Sequence, residues 1–230
     1  MLSVSLLIVA SCKKSVVDDP QPEPTANEIT INGTVYPTVK IGNQTWTTIN
    51  YNGSGGVNYN DSSNDPSLGK LYSWPEVKAI TNLPIGWRLP TNADVKSLMA
   101  NVGTKLDGTD AYNDADASKK LMSTTGWNNT SFAGTNTTGL NLKATGYLFI
   151  NQTGVKSYSD KGVLASFWTS STIQSGSNSY PLLFEVSTNS YDSKDQPAGL
   201  RGMIYNTTAN GDGLTTLLAE KRSIRFVKDN

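Results

Sequence analysis

The sequence predicts an α+β domain with two or three short helices, a mixed antiparallel sheet and long loops. Helix signals cluster between residues 71 and 123, and strand-like runs dominate after residue 140. Asn, Thr, Ser and 20 Gly fill the intervals, as turn formers and solvated strand-face residues do. A chain of 230 residues can bury roughly 70% of its unfolded surface, enough for a sizeable core. From residue 28 onward no Pro-rich linker and no internal repeat divides it.

Each element has a local reason. Ile29, Ile31, Val35, Val39 and Ile41 alternate as in short strands. Gly42-Asn43 sits between residues 38–41 and 44–49 and signals a tight hairpin. Residues 52–67 form a loop rich in Gly, Asn, Ser and Asp. Residues 71–80 suit a short helix, with Pro75 tolerated in its first turn. Residues 86–90 read as a strand-like lead into a helix starting at Thr91. The Thr91 hydroxyl can cap the first free amides, and Asp94 stands at the third position of a capping box. Val95, Leu98 and Met99 then share one apolar face, and Gly103 ends the helix. A further short helix fits residues 115–123. Strands are expected at 140–150, 166–171, 180–187, 202–205 and 223–228.

Composition removes whole classes of function. Charged residues are only 17% of the chain, with 19 Lys and Arg against 19 Asp and Glu. No basic excess is left to neutralise phosphates, so a nucleic-acid partner is not expected. There is no histidine, and Cys12 is the only cysteine. Nucleophilic triads lack their usual base, and zinc lacks imidazole and thiolate ligands. Glycoside hydrolysis needs two facing carboxylates. Of five glutamates, Glu23 and Glu28 lie in or beside a Pro-rich stretch, and sequence alone does not pair Glu76 with Glu185. Ser118 and Lys119 could be imagined as a dyad but read as helix surface. No enzyme is expected.

The first residues point to a compartment. Residues 1–10 are apolar and uncharged, with the length of a signal-peptide core and too short to span a bilayer. They run into Val9-Ala10-Ser11-Cys12, which resembles a bacterial lipobox. The resemblance implies cleavage before Cys12 and lipidation of its thiol, with residues 1–11 as signal peptide. Two or more acyl chains anchor stably, since each buried methylene contributes about 0.8 kcal/mol. No Lys or Arg precedes the apolar run; a start upstream of Met1 would supply one. Pro20, Pro22 and Pro24 make residues 12–27 an extended tether. Residues 28–230 are then the domain.

A series of short motifs runs through that domain. They are Thr38-Val39-Lys40-Ile41-Gly42-Asn43-Gln44-Thr45-Trp46, Gly69-Lys70-Leu71-Tyr72-Ser73-Trp74 and Gly86-Trp87-Arg88-Leu89-Pro90-Thr91. Gly126-Trp127, Phe167-Trp168-Thr169-Ser170-Ser171 and Ser223-Ile224-Arg225-Phe226-Val227-Lys228-Asp229 follow. In this order and spacing the set resembles the Fibrobacter succinogenes major paralogous domain family, over about residues 37–229. The resemblance implies a secreted or surface lipoprotein, of the kind found in Bacteroidetes-like bacteria. The helix lead and the closing run also resemble C-type lectin-like and formylglycine-generating domains. They imply a C-type lectin-like fold with adjacent termini and a long variable loop region. Three departures matter. The mature domain has no cysteine for the usual disulfides or the formylglycine chemistry. It has no histidine for the iron of the related sulfoxide synthases. Trp127-Asn128-Asn129 only approximates the Trp-Asn-Asp calcium and sugar triplet, and the Glu-Pro-Asn motif is absent.

Calcium needs only oxygen ligands and is the one metal left open, through Asp107, Asp110, Asp114 and Asp116. Solvated turn residues are the favoured reading of the same run, which does not fit the Asp-x-Asp-x-Asp-Gly calcium-loop pattern. Trp46, Trp74, Trp87, Trp127 and Trp168 all lie inside the motifs and are expected in the core, because large aromatics dominate burial. Ligand contacts are expected from the loops between motifs: Tyr112, Asn128, Asn129, Tyr158, Tyr191 and Tyr205. Tyrosine gives rigid contact area and asparagine adaptable hydrogen bonds. The expected function is recognition of a glycan or protein ligand at the cell surface, including adhesion, by a lipid-anchored domain, on the outer membrane. A structural subunit or tip of a surface assembly is the second class the sequence permits, and an enzyme acting on an envelope polymer is a third, less favoured one.

Overall fold

Asn32 and Gly33, both at positive φ (49° and 81°), turn strand β1 (Glu28–Ile31) back onto β2 (Thr34–Ile41). Such a pair fits the twist of a two-residue hairpin. Gly42 and Asn43 make the next turn, into β3 (Gln44–Thr47), where the sequence placed a hairpin. The computed structural model describes residues 27–61, 65–103, 111–112, 115–175, 177–188, 198–201 and 220–230.

Helix α1 (Trp74–Lys78) follows the short strand β4 (Tyr72–Ser73). It is shorter than the expected 71–80. Ser73 is its N-cap, with Glu76 completing a capping box, so the preceding residues are free to pair as a strand. Helix α2 (Asn92–Asn101) starts at Thr91 as expected, with the Thr91–Asp94 capping box formed in both directions. Val95, Leu98 and Met99 are fully buried. Strand β5 is Ala111–Tyr112, and α3 is Ala115–Leu121. Helix α3 stops two residues before the expected end because Met122 pairs with Leu142 and the Ser123 amide bonds the Leu142 carbonyl. Ser118 is not helix surface: it is fully buried on α3.

The remaining strands are β6 (Tyr147–Ile150), β7 (Lys156–Ser159), β8 (Leu164–Ser175), β9 (Asn178–Ser187), β10 (Ala198–Arg201), β11 (Glu220–Arg222) and β12 (Val227–Asp229). Three four-stranded antiparallel sheets result, in the orders β1-β2-β3-β12, β5-β10-β9-β8 and β4-β11-β6-β7. The fold is α+β with strands dominant. The expected strand over 140–150 survives only as β6, since positive φ at Asn141 (57°) and Gly146 (67°) breaks an extended run. The expected strand over 223–228 divides. Its first residue bridges to Phe167, and Val227 pairs with both Trp46 and Arg88. Residues 202–205 lie outside the described residues. Among the described residues no helix is long and apolar enough to cross a membrane.

The cores sit between these sheets and the helices. One joins α2 and α3 to Trp46, Trp127, Phe167 and Val227. A second stacks Tyr36, Tyr51, Tyr72, Trp168 and Phe226, with Trp74 and Trp87 half-buried against it. All five tryptophans therefore pack, as expected. A third, smaller one holds Tyr59, Leu71 and Leu148. Arg225 is buried among them with no carboxylate among the described residues. Its donors reach Asn50 Oδ1 (2.6 Å) and the carbonyls of Thr47 (2.7 Å), Leu140 (3.1 Å) and Asn141 (3.1 Å). Burial pushes this guanidinium down to about 9.

Candidate functional site

The smallest core underlies an exposed polar face. Strand β7 is an edge strand, and alternation along it puts Lys156 and Tyr158 on one side. Asn60 and Asp61 both hold left-handed backbone (φ 57° and 53°) that asparagine and aspartate tolerate, and this aims the Asp61 carboxylate at β7. It accepts hydrogen bonds from Lys156 Nζ (2.9 Å to each oxygen) and from the Tyr158 hydroxyl (2.7 Å). The Tyr158 ring lies 5.0 Å from Tyr59, and Lys161 Nζ stands 5.3 Å from the Tyr59 centroid.

Asn128 borders the same face. Its amide donates to the Gly162 carbonyl (2.7 Å) and its side chain to the Lys161 carbonyl (3.4 Å). Gly146 is the close approach that allows this turn. At φ 67°, an added Cβ would come within 2.0 Å of the Ser159 carbonyl oxygen.

Charges on this face are set by their neighbours. The Lys156 ammonium and the Tyr158 hydroxyl hold the Asp61 carboxyl below the usual range. Desolvation first, then Asp61, pushes the Tyr158 phenol up to about 12, so it keeps its proton at neutral pH. Burial also raises Tyr59, with Lys161 working the other way. The face offers an anionic acceptor, two ammonium donors, a phenol, an amide and aromatic carbon.

The expected ligand residues distribute unevenly. Tyr158 and Asn128 come to this one face. Asn129 is exposed and precedes a 3-10 turn (Thr130–Phe132) without capping it. Tyr112 lies on β5, at the edge of the second sheet. Tyr191 and Tyr205 lie outside the described residues, as do Cys12, Asp107, Asp110 and Asp114. Asp116 is exposed in the first turn of α3, and the described residues contain no group of three or more carboxylates that could hold a metal ion. Sequence reading missed Tyr59, Lys156 and Lys161. The i, i+2 spacing of Lys156 and Tyr158 was the available signal.

Several other carboxylates among the described residues are engaged structurally. Arg88 grips Asp94 through both terminal nitrogens and reaches Asp229 (2.6 Å), while Gln44 Nε2 donates to Asp94 (2.7 Å). Gln44, Arg88 and Asp229 come from three of the motifs, and Asp94 lies three residues beyond one of them. Arg222 is buried against Glu220 (2.6 Å) and Glu185 (3.3 Å) and stacks 3.9 Å from the Tyr147 ring. The motif series thus tracks packing and buried polar contacts. A model of the Fibrobacter succinogenes major domain matches residues 39–228. The chain belongs to that family. Of the features above, the Fibrobacter succinogenes major domain of this chain contains the Arg88 cluster up to Lys228, the Tyr59–Tyr158 face and nearly every core residue. Strand β1 precedes it. No curated protein and no solved structure matches the chain.

Proposed function

We propose that this chain is a non-catalytic recognition domain that binds a glycan through the Tyr59–Tyr158 face. The observation that carries the reading is the convergence of Asp61, Lys156, Tyr158, Lys161 and Asn128 on one exposed patch, where the half-buried Tyr158 ring packs on the buried Tyr59 ring. Sugars present hydroxyls that both donate and accept, above C–H faces that pack on aromatic carbon. Carboxylate, ammonium, phenol and amide groups around tyrosine rings match that pattern. The absence of histidine, the single cysteine at Cys12, and the pairing of Glu76 and Glu185 with Lys221 and Arg222 support a non-catalytic role.

A C-type lectin-like fold is part of this proposal. It is supported by the early helices, the strand-rich second half and the sheet that sets β12 beside β3, one strand away from β2. Anchoring through a lipidated Cys12 and a Pro-rich tether, on the outer membrane surface, is proposed from the lipobox-like run.

The experiment is a glycan array probed with the full chain and with Tyr158→Ala and Lys161→Ala. A discrete set of bound glycans, lost in both variants with unchanged melting midpoints, is expected. Binding that survives both variants would refute the assignment of this face. Signal only from a protein ligand captured on the same face would replace glycan by protein, and turnover of a bound polymer would make the domain an enzyme.

A further inference from the structure

We infer that a second site, a cleft independent of the Tyr59–Tyr158 face, binds one neutral polyhydroxyl ring. The cleft has a volume of about 360 Å³ and lies between the β1–β2 turn, the loop at residues 51–55 and the segment leaving α1. Small-molecule sites commonly start near about 300 Å³.

Its wall contains a hydrogen-bond imbalance. Tyr36, Tyr51 and Tyr72 stack in series, with centroids 5.8 and 5.3 Å apart. Tyr36 donates to Asn52 Oδ1 (2.7 Å) and Tyr72 to the Gly53 carbonyl (3.0 Å). Tyr51, only 2% exposed, accepts a long bond from Asn32 Nδ2 (3.5 Å) and donates to none of the described residues. Buried hydroxyls normally find an acceptor.

Glu76 supplies the complement. Its Oε2 takes Ser73 N (2.7 Å), Ser73 Oγ (2.9 Å) and Lys221 Nζ (2.7 Å). Among the described residues its Oε1 takes only the Gly56 amide, at 3.3 Å. One oxygen is therefore saturated and the other keeps accepting capacity. Because Lys221 compensates the charge, nothing in the cleft calls for a cationic or anionic ligand. A donor at Tyr51 and an acceptor at Glu76 suit a group that does both, a hydroxyl. Thr81 and Asn82 on the rim offer more of the same, and Ile80 offers an apolar contact for ring C–H groups. Asn82 holds φ 60°, so its amide can be removed without new strain by Asn82→Gly.

The test is saturation-transfer NMR on the full chain with the methyl glycosides of glucose, galactose, mannose and N-acetylglucosamine, and with glucuronate. Transfer to at least one neutral glycoside is expected. Thr81→Trp, on an exposed position, should block it. Tyr51→Phe and Asn82→Gly should each weaken it about two- to tenfold, as for one hydrogen bond, while Tyr158→Ala leaves it unchanged. No transfer to any neutral glycoside, transfer that persists in Thr81→Trp or is undiminished in Tyr51→Phe, or a preference for glucuronate would each overturn the inference. Loss in Tyr158→Ala would merge the two sites and also overturn it. The glycan-array result on Tyr158 and Lys161 stands or falls separately.

Discussion

Replacing Asp94 by Ala should destabilise the domain far more than an ordinary surface change. The side chain is 7% exposed and accepts from Thr91 N (2.6 Å), Thr91 Oγ1 (2.7 Å), Gln44 Nε2 and both terminal nitrogens of Arg88. Its loss removes the capping box and strands the Gln44 amide. Among the described residues it also leaves Arg88 with Asp229 alone as a carboxylate partner, whose side chain is 66% exposed. Breaking a fully buried pair costs about 3–5 kcal/mol. Arg88 is 37% exposed, which brings the expectation to the lower end, about 3 kcal/mol. For a domain of this size that is a fall of about 6–12 °C in melting midpoint.

Urea and thermal melts of wild type and Asp94→Ala measure it. Burial opposes the Asp94 charge, but the bonds from Arg88 and Thr91 prevail and hold its carboxyl below the usual value. A folded-state value below the unfolded one means the contribution is full above the unfolded value of about 3.9. It fades as pH falls from there toward the lowered folded value. The gap between wild type and variant should therefore be full at neutral pH and shrink in strong acid. A loss under about 1 kcal/mol, the range of exposed pairs, would refute the reasoning. So would a gap that is the same at about pH 2 as at about pH 6.

Within α2, Thr91→Ala should cost about 1 kcal/mol as a lost cap and Leu98→Ala about 2–5 kcal/mol as a core cavity; denaturant melts that rank them the other way would contradict the observed burial. Gly146→Ala meets both a positive φ and the Ser159 carbonyl, so a loss of at least about 2 kcal/mol is expected, with weakened array binding from a displaced Lys161 turn. Wild-type melts and binding in this variant would show that the turn can move freely. Cys12→Ser should release the chain from the membrane fraction or leave it unprocessed. Unchanged palmitate labelling of the variant would end the lipid-anchor proposal.

What could be read from sequence was what short-range physics decides. The α2 cap, its apolar face and the Gly42-Asn43 hairpin each depend on residues within one turn of one another. The neighbouring Asn32-Gly33 hairpin carried an equally direct signal that the alternation alone did not use. Long-range pairings were hidden. Arg88 and Asp229 are 141 positions apart, and Asp61 and Tyr158 are 97 apart; nothing in the spacing of either pair announces a meeting. The site was half legible for the same reason. Tyr158 and Asn128 were singled out by residue type, but their company depends on how the β6–β7 hairpin lies against the loop at residues 53–61. Ser118 was misjudged because a polar residue on a short helix says little about which face meets the sheet.

Residues 220–229 touch all three sheets. They lie between β4 and β6, bridge to Phe167 of β8, send Arg225 to the carbonyls of Thr47 and Leu140, and finish beside β3. Of the described segments they are also the last to leave a ribosome. Until they arrive, β4 and β6 have no common partner, one edge of β3 is open and the Thr47 carbonyl has no guanidinium. The hairpins β1–β2–β3, β6–β7 and β8–β9 join strands adjacent in sequence and can form as they emerge, but the three sheets are tied to one another through this segment only at the end. Its nascent chain must therefore remain soluble with the edges of β3, β4 and β6 open until residues 220–229 arrive. The low hydrophobic content of 37% suits that wait, because a sparse apolar sequence is slow to aggregate while its sheet edges are still exposed.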